Sequence, residues 1–328
     1  MAGASAISIK KLSKHYGEIK AVDGISLEVP EGQVFALLGP NGAGKTTTIS
    51  MLCGLTHPTG GKAYVAGLDV EAEPLKVRKS IGVVFQQPSS DDLLSGRENL
   101  EMHALLYGMP SQGRRQRIDD MLHLVGLAGR QKSRVKEYSG GMRKRLEIAR
   151  GILHKPAILF LDEPTVGLDP QTRSLIWRYI RDMSQREKTT IVFTTHYLEE
   201  AEQFADRVAI IDHGKIITVG RPNDLVAELG GDTALLKCKE PKKLAVSLRK
   251  MKFVRNIKLQ EDGVSVTLPD SHKNLPMMLR HLDGVESIEI RPATLNDVFI
   301  KYTGREIRED AAEGSYWERM MNSQAERP

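Results

Sequence analysis

The segment Gly39-Pro-Asn-Gly-Ala-Gly-Lys45-Thr46 follows a continuous apolar run, Val34 to Leu38, and leads into a stretch with a helical pattern that extends to Leu55. The apolar run is typical of a buried strand, and the later stretch is typical of a helix. Glycines between a strand and a helix allow backbone N–H groups to point at phosphates, and the positive end of the helix favours the same anions. The sequence therefore predicts a phosphate-binding loop.

The lysine and threonine that close this loop have separate expected tasks. We expect the Lys45 ammonium to reach the outer phosphates of a nucleotide and the Thr46 hydroxyl to hold Mg²⁺. The alternative is a glycine-rich turn without a ligand, which the strand, the helix and the Lys-Thr pair together disfavour. The residues expected to contact the nucleotide here are Gly39, Pro40, Asn41, Gly42, Ala43, Gly44, Lys45, Thr46 and Thr47.

A second buried strand is predicted at Ile158-Leu-Phe-Leu161, and two adjacent acids, Asp162 and Glu163, follow it. A buried strand rarely ends in paired carboxylates unless a cation or a reaction needs them. Asp162 is expected to hold Mg²⁺, and Glu163 to orient and polarise the water that attacks the outer phosphate. The alternative is a strand that simply exits into solvent, and the phosphate-binding loop argues against it.

The remaining apolar patterns predict an α/β fold. Short alternating runs such as Ile25 to Val29 indicate a small antiparallel sheet near the N-terminus, whereas the run Ile191 to Phe193 indicates another buried strand. Buried strands that alternate with helical patterns favour a parallel sheet covered by helices. Between about residues 88 and 150 the pattern becomes helical and rich in charge, which predicts an inserted helical subdomain.

A boundary between two domains is expected at Gly230-Gly231, so we place the first domain at residues 1–231. The following residues, 232–303, show the order β-α-β-β-α-β of a ferredoxin-like domain. The second helix of that domain is predicted from Leu275 to Leu282. Residues 304–328 are polar and uneven in pattern, and we expect them to form a mobile tail.

Composition restricts the function classes. The 328 residues carry a formal net charge of +5, which is too mild to require nucleic acid as a partner. The two cysteines, Cys53 and Cys238, are too few to staple a chain of this length, so a reduced cytosolic protein is expected. No secretory signal is recognisable, and no apolar stretch approaches the roughly 18 residues of a membrane span. A role at a membrane would therefore need a partner protein.

Downstream of the loop, a serine and two glycines precede apolar residues at helical spacing. A hydroxyl and free N–H groups at a helix N-terminus form an anion site. This segment reads Tyr138, Ser139, Gly140, Gly141 and Met142. It is similar to the Leu-Ser-Gly-Gly-Gln signature of the ATP-binding-cassette (ABC) family, with methionine in place of glutamine. With the loop and the paired acids, the chain resembles the nucleotide-binding subunit of an ABC transporter over roughly residues 5–230.

This resemblance implies a P-loop NTPase core of the RecA-like type, with ATP and Mg²⁺ as cofactors. It implies that Ser139, Gly140 and Gly141 bind the γ-phosphate of an ATP molecule held by the opposite subunit. The methionine puts the contacts of the family's glutamine side chain in doubt but leaves the groups that face the phosphate unchanged.

Four further residues match family positions one at a time. Tyr16 resembles the aromatic residue that stacks on adenine, and Asp169 matches the loop along the dimer interface. Gln86 matches the glutamine that senses Mg²⁺ and water next to the helical subdomain, and His196 matches the histidine that hydrogen-bonds the γ-phosphate. Taken alone, each residue has an ordinary structural explanation, such as a surface tyrosine or a polar histidine. Their order along the chain favours the functional interpretation.

The chain carries one phosphate loop and one signature, so the resemblance implies pairing with a second copy or with a paralogous cassette. We expect an ATPase that powers export of a substrate through a separate transmembrane permease, at the cytoplasmic face of the cell membrane. Residues Ser89 to Tyr107 are expected to form the surface that binds that permease. The alternative is a soluble ABC ATPase that acts on nucleic acid or the ribosome. No nucleic-acid partner is expected, and the C-terminal domain is expected to widen the dimer interface rather than bind a regulatory ligand.

Overall fold

The computed structural model describes residues 5–282 and 284–305, so most of the expected mobile tail, 304–328, lies outside the described residues. Contacts between residues divide the chain into two compact units, of which one ends at Gly220 and the next begins at Arg221. This division falls before the boundary that we expected at residue 231. Among the described residues, no helix is both long enough and apolar enough to span a membrane.

The first unit contains a small antiparallel sheet and a larger mixed sheet. The small sheet has the order β2-β1-β4-β5, and the larger one has the order β10-β9-β3-β8-β7-β6. All neighbouring pairs in the larger sheet are parallel except β9 with β10. These strands are β1 Ser5–Tyr16, β2 Ile19–Pro30, β3 Val34–Leu38, β4 Gly60–Val65, β5 Leu68–Asp69, β6 Ile81–Val84, β7 Ile158–Asp162, β8 Thr190–Thr195, β9 Arg207–Asp212 and β10 Lys215–Gly220.

The helices of the first unit are α1 Lys45–Leu52, α2 Pro74–Ser80, α3 Gly96–Leu106, α4 Ser111–Leu124, α5 Gly140–Ile152, α6 Pro170–Glu187 and α7 Leu198–Phe204. Helices α3, α4 and α5 contact one another and lie between β6 and β7 in the chain, as the expected helical insertion requires. Helix α1 ends before the expected Leu55, because Gly54 turns the chain with a positive φ of 65°. The predicted α/β core, antiparallel subdomain and helical insertion are confirmed.

Burial explains why the central strands read as continuous apolar runs. Every residue of β3, β7 and β8 is buried, and the core around them includes side chains of α1 and of the small antiparallel sheet. A strand that is covered on both faces is apolar along its whole length. The polar side chains on these three strands are those of Asp162 and of the threonines of β8. The carboxyl ends of parallel strands meet at one edge of a sheet, so this pattern predicts where the polar chemistry collects.

The second unit has its own sheet and its own apolar core. Its sheet has the order β12-β13-β11-β14, and all neighbouring strands are antiparallel. Its elements are α8 Pro222–Ala227, β11 Asp232–Cys238, α9 Pro241–Arg249, β12 Arg255–Gln260, β13 Gly263–Leu268, α10 Ser271–Leu279, β14 Val285–Arg291 and α11 Leu295–Thr303. From β11 to β14 the order is the predicted β-α-β-β-α-β. Helix α10 spans Ser271–Leu279, whereas a helix from Leu275 to Leu282 was expected. The prediction missed the first turn because that turn is polar and shows no apolar periodicity.

Candidate nucleotide-binding and catalytic site

The predicted phosphate loop joins β3 to α1, and two glycines allow it to lie against neighbouring strands. A Cβ atom on Gly39 would lie 2.2 Å from the Ile211 carbonyl oxygen of β9. Gly44 has a φ of 102°, and a Cβ there would lie 2.3 Å from the Ala21 carbonyl oxygen of β2. Only glycine fits such close backbone approaches. The loop is therefore held between the two sheets of the first unit.

Lys45 begins α1 and is buried with only 5% of its surface exposed. Its Nζ donates hydrogen bonds to the Gly39 carbonyl at 2.8 Å and to the Pro40 carbonyl at 3.0 Å, and it lies 3.5 Å from Glu163 Oε1. Burial lowers the pKa of Lys45, although the nearby Glu163 and Asp162 carboxylates oppose that shift. The ammonium is thus held within the loop beside the carboxylate of Glu163, the residue that follows β7.

Asp162 is the last residue of β7 and is 2% exposed. Its Oδ1 accepts hydrogen bonds from the Thr194 hydroxyl at 2.6 Å and from the Thr46 hydroxyl at 3.2 Å. Burial raises the pKa of Asp162 above its ordinary value, and these two hydrogen bonds offset part of the rise. A carboxylate and a hydroxyl oxygen together suit a hard cation such as Mg²⁺, which binds few protein ligands and keeps several waters. The pair therefore fits the expected metal.

Glu163 follows the strand and adopts a left-handed backbone with a φ of 46°. Its N–H donates to the Thr194 hydroxyl at 2.9 Å, and its Oε1 lies 3.2 Å from His196 Nδ1. Burial would raise the pKa of Glu163, but the His196 hydrogen bond and the Lys45 charge outweigh burial and hold that pKa below its ordinary value. Glu163 is therefore an ionised acceptor that can orient a water molecule.

Two other predicted residues lie on neighbouring elements. Gln86 is exposed and follows β6, the strand that pairs with β7 in parallel, so both strands end at the same edge of the sheet. Tyr16 ends β1 and is half-buried, with Lys14 Nζ 4.9 Å from the centre of its ring. It lies in the hairpin whose second strand touches Gly44 through Ala21.

The signature segment and Asp169 form a second cluster at two helix N-termini. The Ser139 hydroxyl caps α5 by accepting a hydrogen bond from the Met142 N–H at 3.3 Å. Asp169 caps α6 through the N–H groups of Gln171 and Thr172. A Cβ on Gly141 would lie 2.9 Å from Thr172 Cγ2, so the two caps are adjacent.

Comparison with known proteins identifies the family. The family profile described as ABC transporter matches residues 22–166. The daunorubicin resistance ATP-binding protein DrrA3 of Streptomyces coeruleorubidus is 39% identical, over 94% of this chain and 99% of that protein. The Nod factor export ATP-binding protein I of Burkholderia orbicola is 37% identical, over 92% of this chain and 98% of that protein. This chain belongs to the ATP-binding subunits of the ABC transporter family.

A solved structure is also similar to this ABC subunit. It is a dimeric ATP-binding cassette in a post-hydrolysis state, bound to ADP and phosphate. The two chains are 28% identical with a TM-score of 0.60, and the match covers 66% of this chain and 98% of the other. The subunit is an ATPase that binds ATP, and the predicted P-loop NTPase cassette is confirmed.

The ABC subunit contains site residues that sequence reasoning missed. Thr194 joins Asp162 to the backbone of Glu163, and Lys144 of α5 donates to the Phe85 carbonyl at 3.0 Å. Burial lowers the pKa of Lys144 to about 8. Glu147, also on α5, accepts hydrogen bonds from Ser89 and Ser90, so the signature helix holds the segment that carries Gln86 at two points. The sequence carried no clear signal for Lys144 and Glu147, because charged residues on a helix usually face solvent.

Proposed function

We propose that this ATP-binding subunit pairs with a second copy or a paralogous cassette and powers export of a substrate through a separate permease. The relatives named for daunorubicin resistance and Nod factor export match almost the whole chain, which supports an exporter. The permease would hold the subunit at the cytoplasmic face of the membrane and would select the cargo.

The cluster of Lys45, Asp162, Glu163 and His196 at one edge of the parallel sheet is the observation that carries the part of this proposal that concerns ATP hydrolysis. The Lys45 ammonium would balance the charge of the outer phosphates. Glu163 would accept a hydrogen bond from the attacking water, and His196, held against Glu163, would donate to the γ-phosphate. Catalysis then consists mainly of positioning and of stabilising charge.

Residues around this cluster would hold the rest of the nucleotide. Thr46 and Asp162 would bind Mg²⁺ with help from Gln86, and the metal would neutralise charge on the phosphates. The loop from Gly39 to Thr47 would surround the phosphates, and Tyr16 would stack on the adenine.

The second cluster would complete the site of another subunit. Ser139, Gly140 and Gly141 present a hydroxyl and N–H groups at the start of α5, which suits a γ-phosphate, and Asp169 would lie along the interface. Binding of ATP would then join two subunits. Loss of the γ-phosphate after hydrolysis would let them separate.

Substitution of the proposed base tests the catalytic assignment. Glu163→Gln keeps the size of the side chain but removes the charge that accepts a proton, so the ATP hydrolysis rate should fall about 100-fold or more while ATP binding persists. Size-exclusion chromatography with ATP should then show a stable dimer. Hydrolysis at the wild-type rate would contradict the role of Glu163.

The surface from Ser89 to Tyr107 is our proposed permease contact. Leu93, Leu105 and Leu106 in this segment are 71%, 61% and 75% exposed, and Met102 is 37% exposed. Large apolar side chains that gather on one exposed segment are typical of a protein–protein contact. Because α3 packs on α5, movement of the permease would reach the signature helix directly.

Co-purification with a permease tests this surface. Leu105→Ser with Leu106→Ser should abolish capture of the permease from detergent-solubilised membranes, whereas ATP hydrolysis by the free subunit should stay unchanged. Leu75→Ser is the matched control, because Leu75 is 69% exposed on α2, outside the segment. Equal capture by both variants would place the permease contact elsewhere. ATPase activity stimulated by DNA or ribosomes, but not by membranes, would favour the soluble alternative.

The second unit has a structural role in our proposal. Its buried residues form an ordinary apolar core, and among the described residues no cluster of three or more His, Cys, Asp or Glu side chains could hold a metal ion. We therefore assign it to the contact between paired subunits rather than to a regulatory ligand.

A further inference from the structure

A buried carboxylate, Glu200, lies behind the candidate catalytic pair and has no part in the proposed chemistry. It belongs to the first turn of α7 and is 3% exposed. Its Oε2 accepts a hydrogen bond from the Thr195 hydroxyl at 2.9 Å, and its Oε1 accepts one from the Thr165 hydroxyl. Arg173 Nε of α6 lies 3.7 Å from Oε1. One carboxylate thus connects three separate segments.

The partners of Glu200 lie next to the catalytic residues along the chain. Thr195 immediately precedes His196, and Thr165 follows Glu163 after one intervening proline. The Thr195 hydroxyl donates a hydrogen bond to Glu200. Its oxygen is thereby oriented to accept a hydrogen bond from the Tyr197 N–H at 2.9 Å. The residues on both sides of His196 are therefore tied to one another through this hydroxyl.

The segment that carries Glu163 needs such support. A left-handed backbone is unfavourable for a glutamate, and it persists only where surrounding contacts hold it. On one side the Thr194 hydroxyl accepts the Glu163 N–H, and on the other side Glu200 accepts the Thr165 hydroxyl. Without the second contact, the turn after Glu163 loses its buried anchor.

We infer that Glu200 is a positioning residue that sets the separation of Glu163 and His196 by holding Thr165 and Thr195 on one carboxylate. The inference rests on the catalytic roles proposed for Glu163 and His196. Glu200 itself would touch neither ATP nor water in the site. A displacement of about 1 Å at reacting groups can reduce a rate about 100-fold, so such a residue acts on turnover rather than on nucleotide affinity.

The ordinary explanation of Glu200 is an acid that stabilises the N-terminus of a helix. Glu199 provides the matched control, because it occupies the same first turn of α7 but is exposed. Both residues face the same helix dipole, and only Glu200 contacts Thr165 and Thr195. A comparison of the two variants therefore separates positioning from helix stability.

The first experiment measures ATP hydrolysis and ATP binding by the full chain. Glu200→Ala should lower kcat about tenfold or more, while the Kd for ATP and the KM stay within about twofold of wild type. Glu199→Ala should leave kcat unchanged. Wild-type kcat in Glu200→Ala, or an equal loss in Glu199→Ala, would overturn the inference.

The second experiment acts on a partner of Glu200 and does not remove the buried charge. Thr165→Val should lower kcat in the same way, Thr165→Ser should restore it, and the effect of Thr165→Val should not add to that of Glu200→Ala. If Glu200→Ala does not fold, Thr165→Val decides, and a wild-type kcat there overturns the inference. If instead Glu163→Gln hydrolyses ATP normally, the proposed catalytic role fails first, and that result is distinct from normal hydrolysis by the Glu200 and Thr165 variants.

Discussion

At the scale of single residues, the site keeps a carboxylate where burial disfavours its charge. Asp162 is buried at the end of β7, and the hydroxyl groups of Thr194 and Thr46 donate to its Oδ1. Its raised pKa means that the folded chain favours the protonated form more than the unfolded chain does. Such residues are retained for function at the expense of stability.

Neutralisation of this acid should therefore stabilise the protein and inactivate it. In the metal-free chain near pH 7, Asp162→Asn should raise Tm, because the variant no longer buries a charge at this position. The cost of the buried charge exists above the raised pKa of Asp162 and vanishes below its ordinary value of 3.8, so the advantage should shrink as the pH falls towards that value. Thermal melts across pH check this, and an unchanged or lower Tm at neutral pH would contradict it.

At the scale of elements, the phosphate loop is shaped by strands distant in sequence. Its first glycine lies against β9 and its last lies against β2, and α1 begins immediately afterwards. The Gly39 N–H also donates to the Thr195 carbonyl of β8 at 3.3 Å. The loop conformation therefore depends on the assembly of strands from both sheets around it.

A methyl group at the first glycine should disturb this packing. Gly39→Ala should reduce the free energy of unfolding by about 2 kcal/mol or more, because the new Cβ meets a backbone carbonyl that is part of a strand. Gly140→Ala is a suitable control, since a Cβ there has no atom within 4 Å. Thermal melts of both variants test the argument. Equal melting temperatures would contradict it, because β9 would then have moved to accommodate the new Cβ.

At the scale of the whole molecule, the proposed site residues form two separate clusters within one chain. One joins Lys45, Thr46, Asp162, Glu163 and His196, and the other joins Ser139 and Asp169 at the starts of α5 and α6. We propose that each cluster faces the opposite cluster of a second subunit. Two symmetric copies then contain two equivalent sites.

Complementation between two inactive variants tests this arrangement. Lys45→Ala weakens the phosphate loop, and Gly140→Asp places a negative charge at the signature, where the added side chain has space. In an equal mixture, half of the dimers would contain one intact site, so roughly a quarter of the wild-type ATPase activity should return. Activity no greater than that of the separate variants would contradict a site shared between subunits.

Much of the site could be predicted because its chemistry lies in short segments. The loop from Gly39 to Thr46 and the acids after β7 carry local signals, since a buried strand, its polar end and the following helix are contiguous in the chain. Thr194 carried a weaker signal, because a threonine at the end of an apolar strand is common. Glu200 carried none, since only folding brings the Thr165 and Thr195 hydroxyl groups and Arg173 to its carboxylate.

The order of residues alone thus specified the α/β class, the helical insertion, the order of elements in the second unit, the phosphate loop and the paired acids after β7. These features follow from periodicity and from local backbone chemistry, which act over a few residues. The candidates Tyr16, Gln86, Asp169 and His196 followed instead from the family resemblance. Tertiary packing decided which hydroxyl groups support Asp162 and Glu163, how the glycine loop is held between β2 and β9, and where the first unit ends. Such contacts join residues far apart in the chain, so they exist only after the sheets have closed.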